Sequence, residues 1–395
     1  MKPLSKITTK FTESVIREMT RISSAAGGVN LAQGFPDFDP PEAIRQAAID
    51  AIRQGWNQYA VTFGEADLRE AIAAKALAYN RIECDPNTDV TVTCGATEAM
   101  IATLKALVNP GDEIIIFEPF YENYGPDAIL SGARPRYVTL RYPDWSYDSE
   151  ELAAAFNRNT KAIIINTPNN PTGKVFSEKE LEEIGRLCIR WDVVAVMDEI
   201  YEHILYDDAT HTSMAGIAGM APRTVTINSL SKTYSVTGWR VGWAIAGPEI
   251  TSRIRKVHDF LTVGAPTPFQ KAGVLALGMP EDYYAGLRKR YKHARDRICD
   301  VLKTVGFNLE APKGAYYIMA RTDALMDRYQ ASKALDFSLK LMEVTGIATV
   351  PGTAFYHTRA MGNHQVRFCF AKNEQTIEDV CRRLQRLLKT SLLST

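Results

Sequence analysis

Between residues 113 and 246 the sequence alternates short branched-apolar runs with longer amphipathic ones, and this alternation restricts the fold more than any other feature. EIIIF (113–117), AIIIN (162–166), VVAVM (193–197), TVTI (224–227) and VGWAIA (241–246) have the length and composition of strands buried on both faces. Helices fill the intervals. Ser177 and Glu180 form a Ser-x-x-Glu capping box, and Leu181, Ile184, Leu187, Cys188 and Trp191 follow at helical spacing. Such alternation predicts an α/β fold on a mostly parallel sheet covered by helices. Ligands of these sheets bind beyond the carboxyl ends of the strands, so the residues after each strand are the candidates for function.

With 395 residues, 46% hydrophobic and 23% charged, the chain buries a sizeable core, and at roughly 150 residues per domain its length predicts two or three domains. Lys plus Arg and Asp plus Glu each number 46. No cationic excess is available to neutralise nucleic-acid phosphates or anionic lipid. Residues 1–28 lack the apolar core of a secretory signal, and no apolar run approaches the ~20 residues that span a bilayer. The expectation is a soluble, cytoplasmic protein without nucleic-acid or membrane partners. Six cysteines (84, 94, 188, 299, 369, 381) include no C-x-x-C pair, which predicts reduced, mostly buried thiols rather than disulfides or a metal ribbon. The six histidines show no paired metal-ligand spacing. His203 and His258 read as ordinary helix residues, and no metal is expected.

VTVTC (90–94) leads into Gly95-Ala96-Thr97 and then an apparent helix, EAMIATLKALV (98–108). A small-residue turn that opens a helix offers free N–H groups and the positive dipole end to a phosphate; it also serves as a plain connection. TPNNPTG (167–173) follows AIIIN, and its prolines and asparagines end the strand in a turn. A plain turn needs neither the paired amides nor the preceding Asn166, whereas a site that binds a ligand hydroxyl and carboxylate uses all three. Asp198 ends VVAVM, with Tyr201 three residues on. A carboxylate at the end of a buried strand either finds a specific partner or caps a following helix.

TVTI leads into SLSKTYSVTGWRVGW (229–243), which sets Lys232 among small and hydroxylic residues at the carboxyl edge of the sheet. Desolvation there lowers a lysine's pKa and makes the amine nucleophilic enough to form a Schiff base. Ser229 and Arg240 supply a hydroxyl and a guanidinium suited to an oxyanion. The covalent partner of the lysine is therefore expected to carry a phosphate.

NNPTG, DEIY and SLSKTYSVTGWRVGW in this order, with NLAQGFPDF (30–38) upstream and VRFCF (366–370) downstream, resemble the class I aminotransferases that depend on pyridoxal 5′-phosphate. These share fold type I with aspartate aminotransferase. The resemblance covers nearly the whole chain, and NLAQGFPDFDPP and NQYAVTFG (57–64) draw it toward the kynurenine, glutamine–phenylpyruvate and methionine aminotransferases. It implies a mostly parallel seven-stranded sheet covered by helices, with a smaller α/β domain. Residues 1–28 would form an arm, 45–285 a large cofactor domain, and 29–44 plus 286–395 the small domain. A final helix there carries the apolar stripe of Ile377, Val380, Cys381, Leu384, Leu387 and Leu388.

The resemblance also implies roles. Lys232 would bind the cofactor covalently and then move a proton between the substrate Cα and the cofactor. Asp198 would pair with the ring nitrogen, Asn170 and Tyr201 would bond the ring hydroxyl, and Tyr121 would stack on the ring. Gly95, Ala96, Thr97, Ser229 and Arg240 would hold the phosphate, joined by Tyr59 from the second subunit of a homodimer. Arg367, helped by Asn170, would clamp the substrate carboxylate while the backbone near Gly34 closes over it. The implied reaction is ping-pong transfer of the α-amino group of an L-amino acid to a 2-oxo acid, with a cysteine-conjugate β-lyase on the same fold as the alternative. A cofactor-binding module of a transcription regulator is a third reading, and residues 1–28 leave no room for its DNA-binding domain.

Overall fold

The computed structural model describes residues 2–389. After β1 (Val29–Asn30) come β2 (Val90–Thr93), β3 (Glu113–Glu118), β4 (Arg134–Thr139), β5 (Thr160–Asn166), β6 (Val194–Asp198), β7 (Thr224–Ser229) and β8 (Gly242–Ile245). The last seven form one sheet in the order β2-β8-β7-β6-β5-β3-β4. Only β8 runs against its neighbours, β2 and β7; the other pairs are parallel. The carboxyl ends of β2, β5, β6 and β7 therefore share one edge.

The branched runs of β3, β5, β6 and β7 are almost wholly buried, as strands in a doubly covered sheet must be. On one face Ile116, Ile164 and Val196 pack with Leu104 of the helix Ala96–Leu107 and Ile254 of the helix Pro248–Thr262. On the other, Ile163 and Ala195 pack with Leu181 and Ile184 of the helix Glu178–Trp191. The expected capping box starts that helix: Ser177 Oγ accepts from Glu180 N–H at 3.3 Å, and Glu180 Oε2 accepts from Ser177 N–H at 2.8 Å. The sequence reading located no strand at β4. Its edge position leaves Arg134 exposed and tolerates Pro135, so it lacks the apolar signature of its neighbours.

β9 (Tyr317–Arg321), β10 (Ile347–Ala348), β11 (Val350–Pro351) and β12 (Gln365–Cys369) complete the strands. β9, β11 and β12 form a three-stranded antiparallel sheet, and β10 pairs in parallel with β1. Ile298 and Leu302 of the long helix Glu281–Val305 and Ile377, Val380 and Leu384 of the helix Glu374–Leu384 share a core with Phe368. The final apolar stripe is shorter than expected. Its helix ends at Leu384, so Leu387 stays buried while Leu388 is 41% exposed.

In the stretch expected as an arm, Ser14 caps the helix Val15–Ala25, which buries Ile16 and Met19. All six cysteines are free thiols, and Cys188, Cys299 and Cys369 are buried while the other three are half-buried. His203 lies in a turn and not in a helix, because the chain there bends back to bridge Leu205 with Gly314. No helix among the described residues is long and apolar enough to cross a membrane.

Candidate active site

The sheet register sets Asn166 beside Asp198, and Thr93 and Ser229 each beside Gly242. A cavity of about 520 Å³ opens at this edge. Every site residue singled out from the sequence lines it except Gly95, which immediately precedes Ala96, and Tyr59.

Lys232 Nζ donates to the Gly34 carbonyl at 3.0 Å and lies 5.8 Å from the ring centroids of Tyr201 and Tyr316. Burial pushes its pKa down to about 8; the charges of Arg240 and Arg367 act in the same direction, and that of Asp198 opposes it. A lysine in that condition is an available nucleophile and base near neutral pH. The Gly34 carbonyl also accepts from Tyr316 Oη at 3.0 Å, so the segment expected to close over a substrate is already tied to the lysine.

Asp198 is buried, and its Oδ2 accepts from Tyr124 Oη at 2.6 Å. Burial raises its carboxyl to about 6, against the Tyr124 hydrogen bond and the charge of Lys232. Asn166 Nδ2 donates to the Asp198 carbonyl at 2.9 Å, and Asn166 Oδ1 accepts from Asn170 N–H at 2.7 Å. Asn166 thus fixes the amide turn against the end of β6. Tyr201 is fully buried, with its hydroxyl 3.0 Å from that of Tyr317.

Gly95 adopts φ 80° and caps the helix Ala96–Leu107. A Cβ at Gly95 would stand 2.3 Å from Arg240 Nη2, so only glycine fits both the conformation and the contact. Gly242 is constrained the same way, since its Cβ would lie 2.5 Å from Ala96 N. The start of a helix, a hydroxyl from Ser229 and the Arg240 guanidinium converge here, which suits a phosphate. Arg240 is steadied by Nη1 donating to the Thr237 carbonyl at 2.9 Å.

Arg367, in β12, has no exposed surface. Its Nη1 donates to Asn170 Oδ1 at 2.7 Å, Nη2 donates to the Ala32 carbonyl, and Nε has no hydrogen bond. The Tyr317 and Phe355 rings lie 4.3 and 4.8 Å from its Cζ. Among the described residues no carboxylate pairs with it. A buried cation without a counter-anion is costly, and a bound carboxylate would remove that cost.

Tyr59 is 87% exposed and borders a separate depression with residues 264–268, away from the cavity of its own chain. Several wall residues escaped the sequence reading. Tyr124 lies on a helix of seven residues too short for periodicity to mark it. Tyr317 opens β9 in KGAYY (313–317), where a paired tyrosine was the available signal. Ser14 and Arg17 line the mouth, and Asp127 lines the wall with Oδ2 unbonded and its carboxyl raised by burial to about 7. Glu199, Glu202 and His211 bring ligand atoms within 4.8 Å of one another. Lys75 pairs with Glu202, and Ser213 and His211 bond Glu199.

Chemistry that needs an activated lysine, a buried acid and two separate anion sites in one cleft of this sheet narrows the class to the fold type I aminotransferases. Residues 26–384 match the model of the aminotransferase class I and II family, and the chain belongs to that family. It is 39% identical over 388 residues to a probable N-succinyldiaminopimelate aminotransferase, DapC, of Mycobacterium tuberculosis, covering 95% of this chain and 96% of that one. It is 35% identical over 399 residues to kynurenine–oxoglutarate transaminase 1 of Homo sapiens, covering 93% and 94%. The solved structure of YbdL from Escherichia coli, described with a methionine aminotransferase function, superposes with a TM-score of 0.92 at 33% identity, covering 98% of this chain and all of that one. The chain is an aminotransferase.

Proposed function

We propose that this aminotransferase carries pyridoxal 5′-phosphate on Lys232 and passes the α-amino group of an L-amino acid to a 2-oxo acid in two half-reactions. The observation that carries the reading is Arg367, a buried cation with no counter-anion among the described residues, in the wall of the cavity that Lys232 lines. The residues present fit the cofactor. Gly95, Ala96, Thr97, Ser229 and Arg240 would hold its phosphate, and the glycine forced at Gly95 by the Arg240 contact supports that role. Asp198 would hold a proton at the ring nitrogen, Asn170 and Tyr201 would bond the ring hydroxyl, and Tyr121 would cover one face.

When bound, pyridoxal phosphate supplies an electron-accepting ring conjugated to the substrate nitrogen. Lys232, its proton affinity lowered by burial, is available as a free amine and serves as base and acid at the substrate Cα. Asp198 stays ionised once a cation lies beside it. Arg367 binds the α-carboxylate bidentately, with Asn170 alongside, and so fixes which Cα bond faces Lys232.

We also infer a homodimer with shared sites. Tyr59 and Phe260 are 87% and 91% exposed, Val61 and Val263 close to them in sequence are exposed too, and a Cβ at Gly264 would lie 3.8 Å from the Thr62 carbonyl oxygen. An apolar surface of this kind suits a second copy of the chain, whose phosphate site Tyr59 would complete. A large domain over 45–285 and a small one from 29–44 plus 286–395, with 1–28 as an arm, is the division we favour. In support, the seven-stranded sheet falls inside the first range and the three-stranded sheet inside the last.

The test is a panel of donors, including the N-succinyldiaminopimelate, kynurenine and methionine of the relatives' names, with 2-oxoglutarate, pyruvate and phenylpyruvate as acceptors. Amino transfer that requires the oxo acid supports the reading. Pyruvate released from a cysteine conjugate without any oxo acid, and no transfer, would replace it with β-lysis.

A further inference from the structure

We propose that His258 is a positioning residue, held as an imidazolium, that ties the phosphate cup of its own chain to the loop carrying Tyr59 toward the partner's cup. The proposal rests on the cofactor and dimer reading above. His258 lies on the helix Pro248–Thr262 with no exposed surface. Its Nδ1 is 2.7 Å from Glu98 Oε1, and its Nε2 is 2.7 Å from the Thr62 carbonyl oxygen. A carbonyl only accepts, so Nε2 carries a proton. Glu98 is an acceptor on every side: Oε1 takes the Thr262 hydroxyl at 2.7 Å and Oε2 takes the Cys94 N–H at 2.5 Å. Nδ1 therefore carries the second proton. Burial works against both charges, yet each partner's hydrogen bond and charge outweigh it, leaving the Glu98 carboxyl lowered and the imidazole raised. Asp259, next on the same helix, adds to the field that favours the cation.

The two bonds end in different places. Glu98 belongs to the first turn of the helix Ala96–Leu107, and by fixing the Cys94 N–H it brackets Gly95 from both sides. The Cys94 carbonyl in turn accepts from Arg240 Nη2 at 3.5 Å. Thr62 lies three residues beyond Tyr59, and the Thr267 hydroxyl donates to the Gln58 carbonyl at 2.6 Å just before it. A backbone bond from Val92 N–H to the Phe63 carbonyl, at 3.0 Å, adds a tie to β2. Tyr59 thus projects from a loop gripped at both shoulders, and His258 provides the ionic link between one shoulder and the cup.

Side-chain geometry allows the two bonds to be cut separately. An asparagine amide reaches the place of Nδ1, so His258→Asn keeps the Glu98 bond and frees Thr62. A glutamine amide reaches the place of Nε2, so His258→Gln keeps Thr62 and frees Glu98. In a heterodimer in which one chain carries Lys232→Ala, a single competent lysine remains, and cofactor release from that site is read as loss of its visible absorbance. His258→Asn on the Lys232→Ala chain should speed release from the other chain's site about tenfold, the effect of one lost hydrogen bond, and should change little when placed on the competent chain. His258→Gln should show the opposite placement. Release equally affected from either placement in a stable, cofactor-binding dimer would overturn the proposal and leave the reading beneath it standing. A wild-type protein that neither dimerises nor binds the cofactor at Lys232 would fail at that lower level instead. Without any variant, nitrogen-15 spectra of labelled histidine should show one ring that keeps both protons to higher pH than an ordinary histidine; a His258 ring that loses its proton at or below the ordinary pH would also overturn it.

Discussion

The Tyr124 hydroxyl donates to Asp198 Oδ2 at 2.6 Å, inside the wall that faces Lys232. That bond favours the charged carboxylate against the burial that raises it. Tyr124→Phe should lower kcat/KM roughly tenfold, the loss of one hydrogen bond to a charged group. Stopped-flow measurement of the first half-reaction checks it, and an unchanged rate would mean that Asp198 does not depend on Tyr124.

Asp198→Asn should do more. The amide keeps the shape and cannot hold a proton at the ring nitrogen by charge, so removal of the Cα proton should slow far beyond the Tyr124→Phe effect while the melting temperature stays close to wild type. A rate near wild type in single-turnover experiments would remove Asp198 from the chemistry.

Lys232 gives a pH dependence whose sign can be worked out. Its folded pKa is pushed down to about 8, whereas an unfolded lysine holds its proton to about 10.4. Between those values the unfolded chain binds more protons, so the folded apoprotein gains stability as pH rises through that window; below about 8 the cost of the buried lysine is full. Lys232→Met should therefore stabilise the apoprotein most at about pH 7, with the gap to wild type closing toward pH 10. Denaturant titrations across this range check it. A gap that stays constant or widens as pH rises would contradict the lowered pKa.

The strands at 113–117, 162–166, 193–197 and 224–227 were legible because branched apolar residues on consecutive positions have few alternatives to a doubly covered sheet. β4 was not, because Arg134 and Pro135 make sense only once the strand is known to be an edge. In the site, Lys232, Asp198 and Asn170 were legible from motifs at or after strand ends, and Arg367 from VRFCF (366–370). Tyr124 and Tyr317 were not. Each acts through contacts across fifty or more residues of sequence, with Asp198 and with Tyr201 and Arg367 respectively, and no local pattern encodes such a contact. His258 read as an ordinary helix residue for the same reason, since its partners Glu98 and Thr62 come from distant segments.

Shared sites can be tested with two variants. If Arg367 serves its own chain and Tyr59 the partner's, a heterodimer of Arg367→Ala and Tyr59→Phe holds one doubly damaged site and one intact site. Loss of the charge-assisted clamp should cost about 3 kcal/mol or more, roughly a hundredfold in kcat/KM, against about 1 kcal/mol for one phosphate hydrogen bond. Mixing and re-equilibrating the homodimers should raise activity above their average. No gain after confirmed subunit exchange would assign Tyr59 to its own chain or place one residue outside the site.

The central claim, that the lysine at the carboxyl end of β7 carries the cofactor, is tested most directly by locating the attachment. The protein is incubated with pyridoxal 5′-phosphate, reduced with borohydride, digested and read by mass spectrometry. The expected result is one stoichiometric adduct on the peptide containing Lys232, absent from Lys232→Ala. An adduct on another lysine at comparable yield, or none on Lys232, would contradict the account.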